Sequence, residues 1–177
     1  MKRFIGIDLG TSSVKAVLIS EAGIERSASR DYPVSSPGPG WSEQSPEDWY
    51  DGALSALREL LDGIDASDVE ALSFSGQMHG LVMLDANDRV IRPAILWNDG
   101  RSAAQTERLN STLGDRLLKD TGNIAFAGFT APKLLWVKEN EPENFRAAEK
   151  IMLPKDYLAY RLSGVFATDV SDASGTL

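Results

Sequence analysis

The residues best suited to chemistry are Asp8 and the polar run that follows it, Gly10-Thr11-Ser12-Ser13. Glycine lets the backbone approach a ligand closely, and consecutive backbone N–H groups form a concavity that suits phosphate oxygens. A carboxylate beside phosphate requires a cation between them, and Mg²⁺ is held by one or two carboxylates together with substrate phosphates, often through water. The pattern is a candidate phosphate site, with Gly10, Thr11 and Ser12 as contacts and Asp8 orienting magnesium through water.

Two apolar runs flank this turn and must position it. Phe4 to Leu9 and Val14 to Ile19 predict two strands joined by a tight turn, so that the chain opens with a β-hairpin. The turn is not a Walker A loop, because the Gly-x4-Gly-Lys-[Ser/Thr] spacing is missing and no helix follows it. On pattern alone, a hairpin whose turn is merely small and polar, capped by Asp8, fits equally well.

Two further polar clusters follow predicted strands. The strand Val69 to Gly76 leads into Gln77-Met78-His79-Gly80, and the strand Ala94 to Trp97 leads into Asn98 and Asp99. In α/β sheets, ligands collect beyond the carboxyl ends of strands, so both clusters are candidate sites by position. The alternatives are a hydrogen-bonded core histidine and an Asn98 or Asp99 side chain that caps the next helix.

Composition limits the classes of function. The chain has 177 residues, 18 Lys and Arg against 26 Asp and Glu, and a formal net charge of −8, which argues against nucleic-acid binding through a clustered basic face. It has no cysteine and one histidine, which excludes disulfides and thiol catalysis and leaves little for a zinc site. No apolar run approaches the roughly 18 residues of a membrane span, and no signal-type segment is present. We expect a cytoplasmic protein.

The remaining elements alternate in type and predict one α/β domain. A third strand over 24–32 completes an antiparallel meander, and Ser45-Pro46-Glu47-Asp48 is typical of a helix start. The further predicted elements are a helix ending near Gly63, a small hairpin over 81–91, helices over 102–110 and 113–121, a helix starting at Thr130, a strand over 151–153 and a helix over 154–162.

The opening motif Asp8 to Ser13 resembles the first phosphate loop of the actin, Hsp70 and sugar-kinase superfamily. The resemblance implies a ribonuclease H-like α/β domain, with a mixed sheet, an N-terminal antiparallel three-strand meander and flanking helices. It also implies that the ligand of the turn is the phosphate tail of ATP.

Later motifs narrow the resemblance. Gly128 to Asn140 is similar to the family signature of the FGGY carbohydrate kinases. Taken with the other motifs, the likeness to this family covers essentially the whole chain. Three other stretches, 76–80, 96–101 and 153–157, resemble the branch of this family that acts on xylulose. Lys133 and Trp136 lie in the signature, and we interpret both as structural, since a Trp at helical spacing is more often a core residue.

The resemblance implies transfer of the γ-phosphoryl group of ATP to the 5-hydroxyl of D-xylulose, with ATP and Mg²⁺ as cofactors. Met78, His79, Asn98 and Asp99 would line the sugar site, and Asp8 would position magnesium and phosphate. The implied partners are a ketopentose and ATP, without nucleic acid or membrane. A homodimer of the full-length enzyme is compatible with the resemblance.

The chain departs from the pattern of this family in its length. Kinases of this family have two such domains, so residues 1–177 are expected to be an N-terminal domain, itself incomplete, without the C-terminal nucleotide-binding domain. The catalytic base is expected beyond Leu177, and the chain alone is predicted to be inactive. The alternatives are a kinase for ribulose, fuculose or erythritol, an actin-like nucleotide-hydrolysing assembly protein, and a catalytically silent sugar-binding module.

Overall fold

The computed structural model describes residues 2–177, over which strands and helices alternate. In chain order the strands are β1 (Arg3–Leu9), β2 (Ser13–Ser20), β3 (Gly23–Asp31), β4 (Glu43–Gln44), β5 (Val69–Gly76), β6 (Val82–Leu84), β7 (Ala94–Ile95) and β8 (Lys150–Met152). The helices are α1 (Pro46–Leu60), α2 (Ala103–Thr121), α3 (Thr130–Asn140), α4 (Pro142–Ala147), α5 (Pro154–Ser163) and α6 (Val170–Ala173).

A mixed sheet in the order β3-β2-β1-β5 forms the centre of the fold. β1, β2 and β3 make an antiparallel meander, and β5 lies parallel to β1. The register pairs Asp8 of β1 with Lys15 of β2 on one side and with Ser75 of β5 on the other. The predicted α/β fold, with its N-terminal three-strand meander and flanking helices, is confirmed.

One face of this sheet is buried under α1, which packs on β2 and β3. The buried residues alternate along the strands and recur every three or four residues in the helix, as their periods require; they include Ile5, Ile7, Leu9, Val14, Ala16, Leu18, Trp49, Ala53, Ala56 and Leu60. Because side chains alternate across a strand, Asp8 and Lys15 lie on the opposite face and are exposed.

Short ladders position the loops that follow the other strands. β4 pairs with β7, and β6 pairs with β8, in both cases antiparallel. A smaller apolar core under α3 holds these ladders, formed by Leu81, Met83, Ile95 and Val137. None of the helices within the described part of the chain is both long and apolar enough to cross a membrane.

The two helices predicted over 102–110 and 113–121 both lie within α2, which is broken at Gly114, with φ 45° and ψ −126°, a non-helical conformation that glycine adopts at low cost. One detail differs from the sequence prediction. The strand predicted over 94–97 stops at Ile95. The chain turns directly afterwards, since the Asp99 N–H donates to the Leu96 carbonyl at 3.2 Å.

Candidate functional site

The turn Gly10–Ser13, between β1 and β2, presents two unpaired backbone donors. The Gly10 N–H donates to the Ser13 carbonyl at 3.0 Å, and a Cβ at position 10 would lie 3.0 Å from that same oxygen. Among residues 2–177, neither the Thr11 N–H nor the Ser12 N–H has an acceptor. Two neighbouring N–H groups in a tight turn are suited to bind an anionic oxygen.

Asp8 lies on the open face of the sheet, one residue before the end of β1. Its side chain forms no ion pair or hydrogen bond with the described residues, although Lys15 and Ser75 face it in the register. These residues line a shallow groove of about 320 Å³ together with Gly6 and Ser73. An exposed carboxylate without a protein partner beside an anion site has the chemistry of a magnesium ligand, either direct or through water.

The loop Gln77–Gly80 lies next to the turn because β5 ends beside β1. Gly76 is paired with Leu9, and the Gln77 N–H donates to the Leu9 carbonyl at 2.7 Å. A Cβ on Gly76 would lie 2.9 Å from the Leu9 Cβ, so a larger residue there would separate the two strand ends. Met78, which is 50% exposed, and the half-buried His79 are thus placed near the Gly10–Ser13 turn.

His79 is held in an unusual backbone conformation, with φ 60°. Its carbonyl oxygen accepts hydrogen bonds from Thr130 Oγ1 at 3.1 Å and from Lys133 Nζ at 2.8 Å. Its ring packs on Phe129, with 4.8 Å between centroids. Gly175 lies against the other side of the ring, where a Cβ would come within 2.2 Å of His79 Cε1.

The surroundings favour a neutral imidazole at His79. Burial lowers its pKa, and the nearby charge of Lys133 lowers it further, whereas Asp172 and the Gly175 backbone act in the opposite direction. A neutral imidazole has one donor and one acceptor nitrogen, and since Nδ1 is buried beside Gly175, Nε2 is the nitrogen left for a neighbouring hydroxyl group.

Lys133, at the first turns of α3, is fully buried. Its ammonium donates to the carbonyl oxygens of His79 and Gly128. Burial lowers the pKa of Lys133 to about 7, and the charge of Asp99 opposes that shift. The side chain therefore ties α3 to the Gln77–Gly80 loop, in keeping with its interpretation as a structural residue.

The loop Trp97–Arg101, after β7, contacts the Gly10–Ser13 turn directly. The indole Nε1–H of Trp97 donates to Thr11 Oγ1 at 3.0 Å. Asn98 is exposed beside it. The structure thus brings Asp8, the turn, the Met78-His79 pair and Asn98 to one edge of the fold, where β1, β5 and β7 end.

Asp99 differs from its predicted role. Its carboxylate has no exposed surface and accepts hydrogen bonds from the Ser42 N–H at 2.6 Å, from the Arg101 N–H at 2.9 Å and from the Arg101 guanidinium through Nε and Nη2. The sequence prediction that Asp99 lines the sugar site is therefore not met by this side chain. A buried carboxylate must be paired and hydrogen-bonded to offset the loss of water, and Arg101 and the Ser42 N–H supply these bonds to both of its oxygens.

Arg101 is the other half of this buried network. Its guanidinium lies 3.9 Å from the Trp41 ring centroid and 4.9 Å from that of Trp136, and it also pairs with Glu43 at 2.7 Å. Planar stacking of this kind suits guanidinium better than ammonium. Trp136 is thus structural, as interpreted from the sequence, and the network fixes the loop that carries Asn98.

A second charged cluster holds the last helix. Lys155 Nζ lies 2.5, 2.8 and 3.3 Å from carboxylate oxygens of Asp156, Asp169 and Asp172. Burial lowers the pKa of Lys155, but the bonds to these acids raise it overall. The hydrogen bond from Lys155, together with that from the Asp172 backbone N–H, lowers the pKa of Asp169 to about 2. A lysine at the centre of three carboxylates accounts for their proximity. The cluster fastens α6 to α5 and so places Gly175 against His79.

Sequence reasoning missed three residues that support the turn. Tyr32 Oη donates to the Gly10 carbonyl, the side-chain amide of Gln44 donates to the Thr11 carbonyl at 2.7 Å, and Trp97 holds the Thr11 hydroxyl. Tyr32 and Gln44 lie outside the motifs, and their one available signal was their type, since a glutamine or tyrosine that is buried needs hydrogen-bond partners. Trp97 lies in the stretch 96–101, but the resemblance assigned it no part in supporting the turn.

Comparison with known proteins identifies the family of this chain. Residues 3–177 match the model of the FGGY family of carbohydrate kinases, N-terminal domain. The chain is 49% identical over 180 residues to a xylulose kinase of Bacillus subtilis, and 50% identical over 175 residues to a xylulose kinase of Escherichia coli. These matches cover 100% and 98% of this chain but 36% of each relative, so the chain spans about a third of their length.

Among solved structures, a "xyloylose kinase" from Brucella ovis superimposes with a TM-score of 0.93 and 46% sequence identity. That superposition covers 98% of this chain and 37% of the other.

Proposed function

Because this chain belongs to the FGGY family of carbohydrate kinases, we propose that it is the sugar-binding part of an ATP-dependent kinase that phosphorylates the ketopentose D-xylulose. The supporting observation is the meeting of the Gly10–Ser13 turn, the Gln77–Gly80 loop and Asn98 at one edge of the sheet. A phosphate site and a hydroxyl-binding site must adjoin for phosphoryl transfer. The names of the relatives support D-xylulose as the acceptor.

The turn would bind the phosphate tail of ATP. The unpaired N–H groups of Thr11 and Ser12 are the donors, and Gly10 allows the backbone to approach the phosphate oxygens. Asp8 would hold Mg²⁺ through water, which fits its exposed and unpartnered carboxylate. ATP supplies the transferable phosphoryl group, and the metal ion neutralises its charge.

The sugar would lie against Met78, His79 and Asn98. Because Nδ1 of His79 is buried beside Gly175, Nε2 is the ring nitrogen that would bond to a sugar hydroxyl. The exposed thioether of Met78 offers an apolar surface. Asp99 acts on the sugar only indirectly, since its carboxylate holds the loop that presents Asn98.

In the reaction, the 5-hydroxyl oxygen of the sugar forms a bond to the γ-phosphorus, and the bond from that phosphorus to the β–γ bridging oxygen breaks to release ADP. The hydroxyl proton passes to a base that we place in a longer polypeptide, after Leu177, together with the C-terminal nucleotide-binding domain. Residues 1–177 then contribute positioning and charge neutralisation. The cytoplasmic location stays a prediction from the sequence.

The test is a coupled assay of ADP release with a polypeptide that extends this chain to the length of its relatives. D-xylulose is compared with D-ribulose, L-fuculose, erythritol and gluconate. We expect D-xylulose to give the highest kcat/KM and residues 1–177 alone to give no turnover. Turnover highest with another acceptor would reassign the substrate, and nucleotide hydrolysis coupled to polymer formation would favour an assembly protein.

A further inference from the structure

Gln44 is a buried glutamine whose side-chain amide is completely paired. It is 2% exposed and lies on β4, before α1. Nε2 donates to the carbonyl oxygens of Thr11 at 2.7 Å and Pro33 at 3.3 Å. Oε1 accepts from Trp49 Nε1 and from Gln77 Nε2, both at 3.1 Å. A primary amide has two N–H donors and two lone pairs, so every one of its hydrogen-bonding positions is used.

Two of these partners belong to the two halves of the proposed site. Thr11 lies in the Gly10–Ser13 turn, and Gln77 directly precedes the Met78-His79 pair. Gln77 is itself 6% exposed, and its backbone N–H bonds to the end of β1. A single side chain thus connects the proposed phosphate turn to the proposed sugar loop through the interior of the fold.

The bond to Thr11 also decides where a neighbouring donor points. The Thr11 carbonyl and the Ser12 N–H belong to one planar trans peptide, in which they point in opposite directions. Since Gln44 holds the carbonyl toward the core, the Ser12 N–H faces away from it. Tyr32 acts in the same way one residue earlier, because its hydroxyl holds the Gly10 carbonyl and so directs the Thr11 N–H outward.

We propose that Gln44 is a positioning residue for phosphate binding, which orients the Ser12 N–H toward the ligand and fixes that orientation relative to the Gln77–Gly80 loop. The inference rests on the proposed function, because it requires the turn to bind phosphate. An amide is needed here, since a carboxylate at this position would face the two carbonyl oxygens of Thr11 and Pro33 without a donor. An aliphatic side chain would leave four polar groups without this partner, of which the Trp49 indole N–H and the Gln77 amide are buried.

The experiment titrates magnesium tripolyphosphate into the ¹⁵N-labelled 177-residue chain and follows the amide signals of Thr11 and Ser12. It compares the wild type with Gln44→Leu and with the matched control Gln105→Leu. Gln105 lies on α2, away from the turn, and is likewise buried, with 6% exposed against 2% for Gln44; its replacement loses the part-buried bond from its amide to Glu139 at 2.7 Å. Circular dichroism establishes that each variant is folded at the temperature used.

We expect saturable shifts of both amides in the wild type, affinity weaker by about tenfold or more in Gln44→Leu, and a change of less than about twofold in the control. A third variant, Gln44→Glu, supplies a pH profile. Its protonated carboxyl regains one donor for the Thr11 carbonyl, so its affinity relative to wild type should rise as the pH falls from 7 to 5. The ratio for Gln105→Leu should stay constant.

The outcomes separate the two proposals. If the wild type shows no saturable shift at Thr11 and Ser12, the phosphate role of the turn fails, and the positioning role fails with it. If the wild type binds, but folded Gln44→Leu binds within about twofold of it, only the positioning role is overturned. Should Gln44→Leu not fold, a pH-independent affinity ratio for Gln44→Glu overturns the inference instead.

Discussion

The ammonium nitrogen of Lys133 lies 2.8 Å from the backbone carbonyl oxygen of His79, although Lys133 has no exposed surface. The same ammonium bonds to the Gly128 carbonyl. Since His79 adopts φ 60°, which is uncommon for a residue with a side chain, this contact stabilises the backbone conformation that presents Met78 and the imidazole. A buried cation is thus part of the framework of the proposed sugar site.

Replacing Lys133 should change how stability depends on pH. Its pKa is lowered by burial from 10.5 to about 7, so between these values the unfolded chain binds more protons than the folded chain. The free energy of unfolding of the wild type should therefore rise with pH in this window, relative to Lys133→Met, by at most about 1.4 kcal/mol per pH unit. Urea denaturation of the wild type and of Lys133→Met from pH 6 to 9.5 measures this difference in the free energy of unfolding. A constant difference across that range would contradict the prediction.

Gly175→Ala should weaken sugar binding more than it weakens the fold. Its Cβ would lie 2.2 Å from the His79 ring, which must then move. Ser171→Ala, in α6, is the control, because its side chain is exposed and makes no contact with the imidazole. Calorimetric titration with D-xylulose should give affinity lower by about tenfold for Gly175→Ala and unchanged for the control. Equal affinities would show that the imidazole position does not matter for the sugar.

Arg101→Lys should destabilise the protein by about 2 kcal/mol or more, because lysine cannot reproduce the paired contact with Asp99 or the stacking on Trp41. The guanidinium is only 1% exposed. Arg116→Lys is the control, since the Arg116 side chain, which pairs with Asp120, is 79% exposed. This substitution should lower the free energy of unfolding by less than about 0.5 kcal/mol. Chemical denaturation of the two variants provides the comparison, and similar losses would refute the buried-network account.

Asp8→Asn should remove the benefit that Mg²⁺ gives to phosphate binding. The wild type is expected to bind tripolyphosphate about tenfold more tightly with Mg²⁺ than without it, since the carboxylate and the phosphate share the ion. The variant should lose this difference while its melting temperature stays unchanged, because Asp8 has no partner within the described residues. Asp115→Asn, an exposed acid on α2, serves as the control. A magnesium effect that survives in Asp8→Asn would exclude this residue as the metal ligand.

Much of the fold could be predicted because it depends on local signals. Alternating apolar residues indicated β1 and β2, the Ser45-Pro46 pair indicated the start of α1, and the polar residues after β5 marked a loop at the correct edge. The short ladders were harder. β7 has only two residues, and its length is set by the turn that follows and by the partner strand β4, neither of which is visible in its own residues.

The candidate site likewise has a part that could be predicted from the sequence and a part that could not. The sequence by itself determined the β1–β3 meander and which polar segments follow strands, because periodicity and short turns are local signals. The placement of β5 parallel to β1 came only from the tertiary structure, since a long connection separates the two strands. Only the tertiary structure decided what the side chains do at the site. The Asp99 carboxylate bonds to Ser42, 57 positions away, and Gln44 bonds to Thr11 and Gln77, each 33 positions away. Such pairs form only when packing brings distant segments together, and burial then requires each polar group to find its partner within the protein.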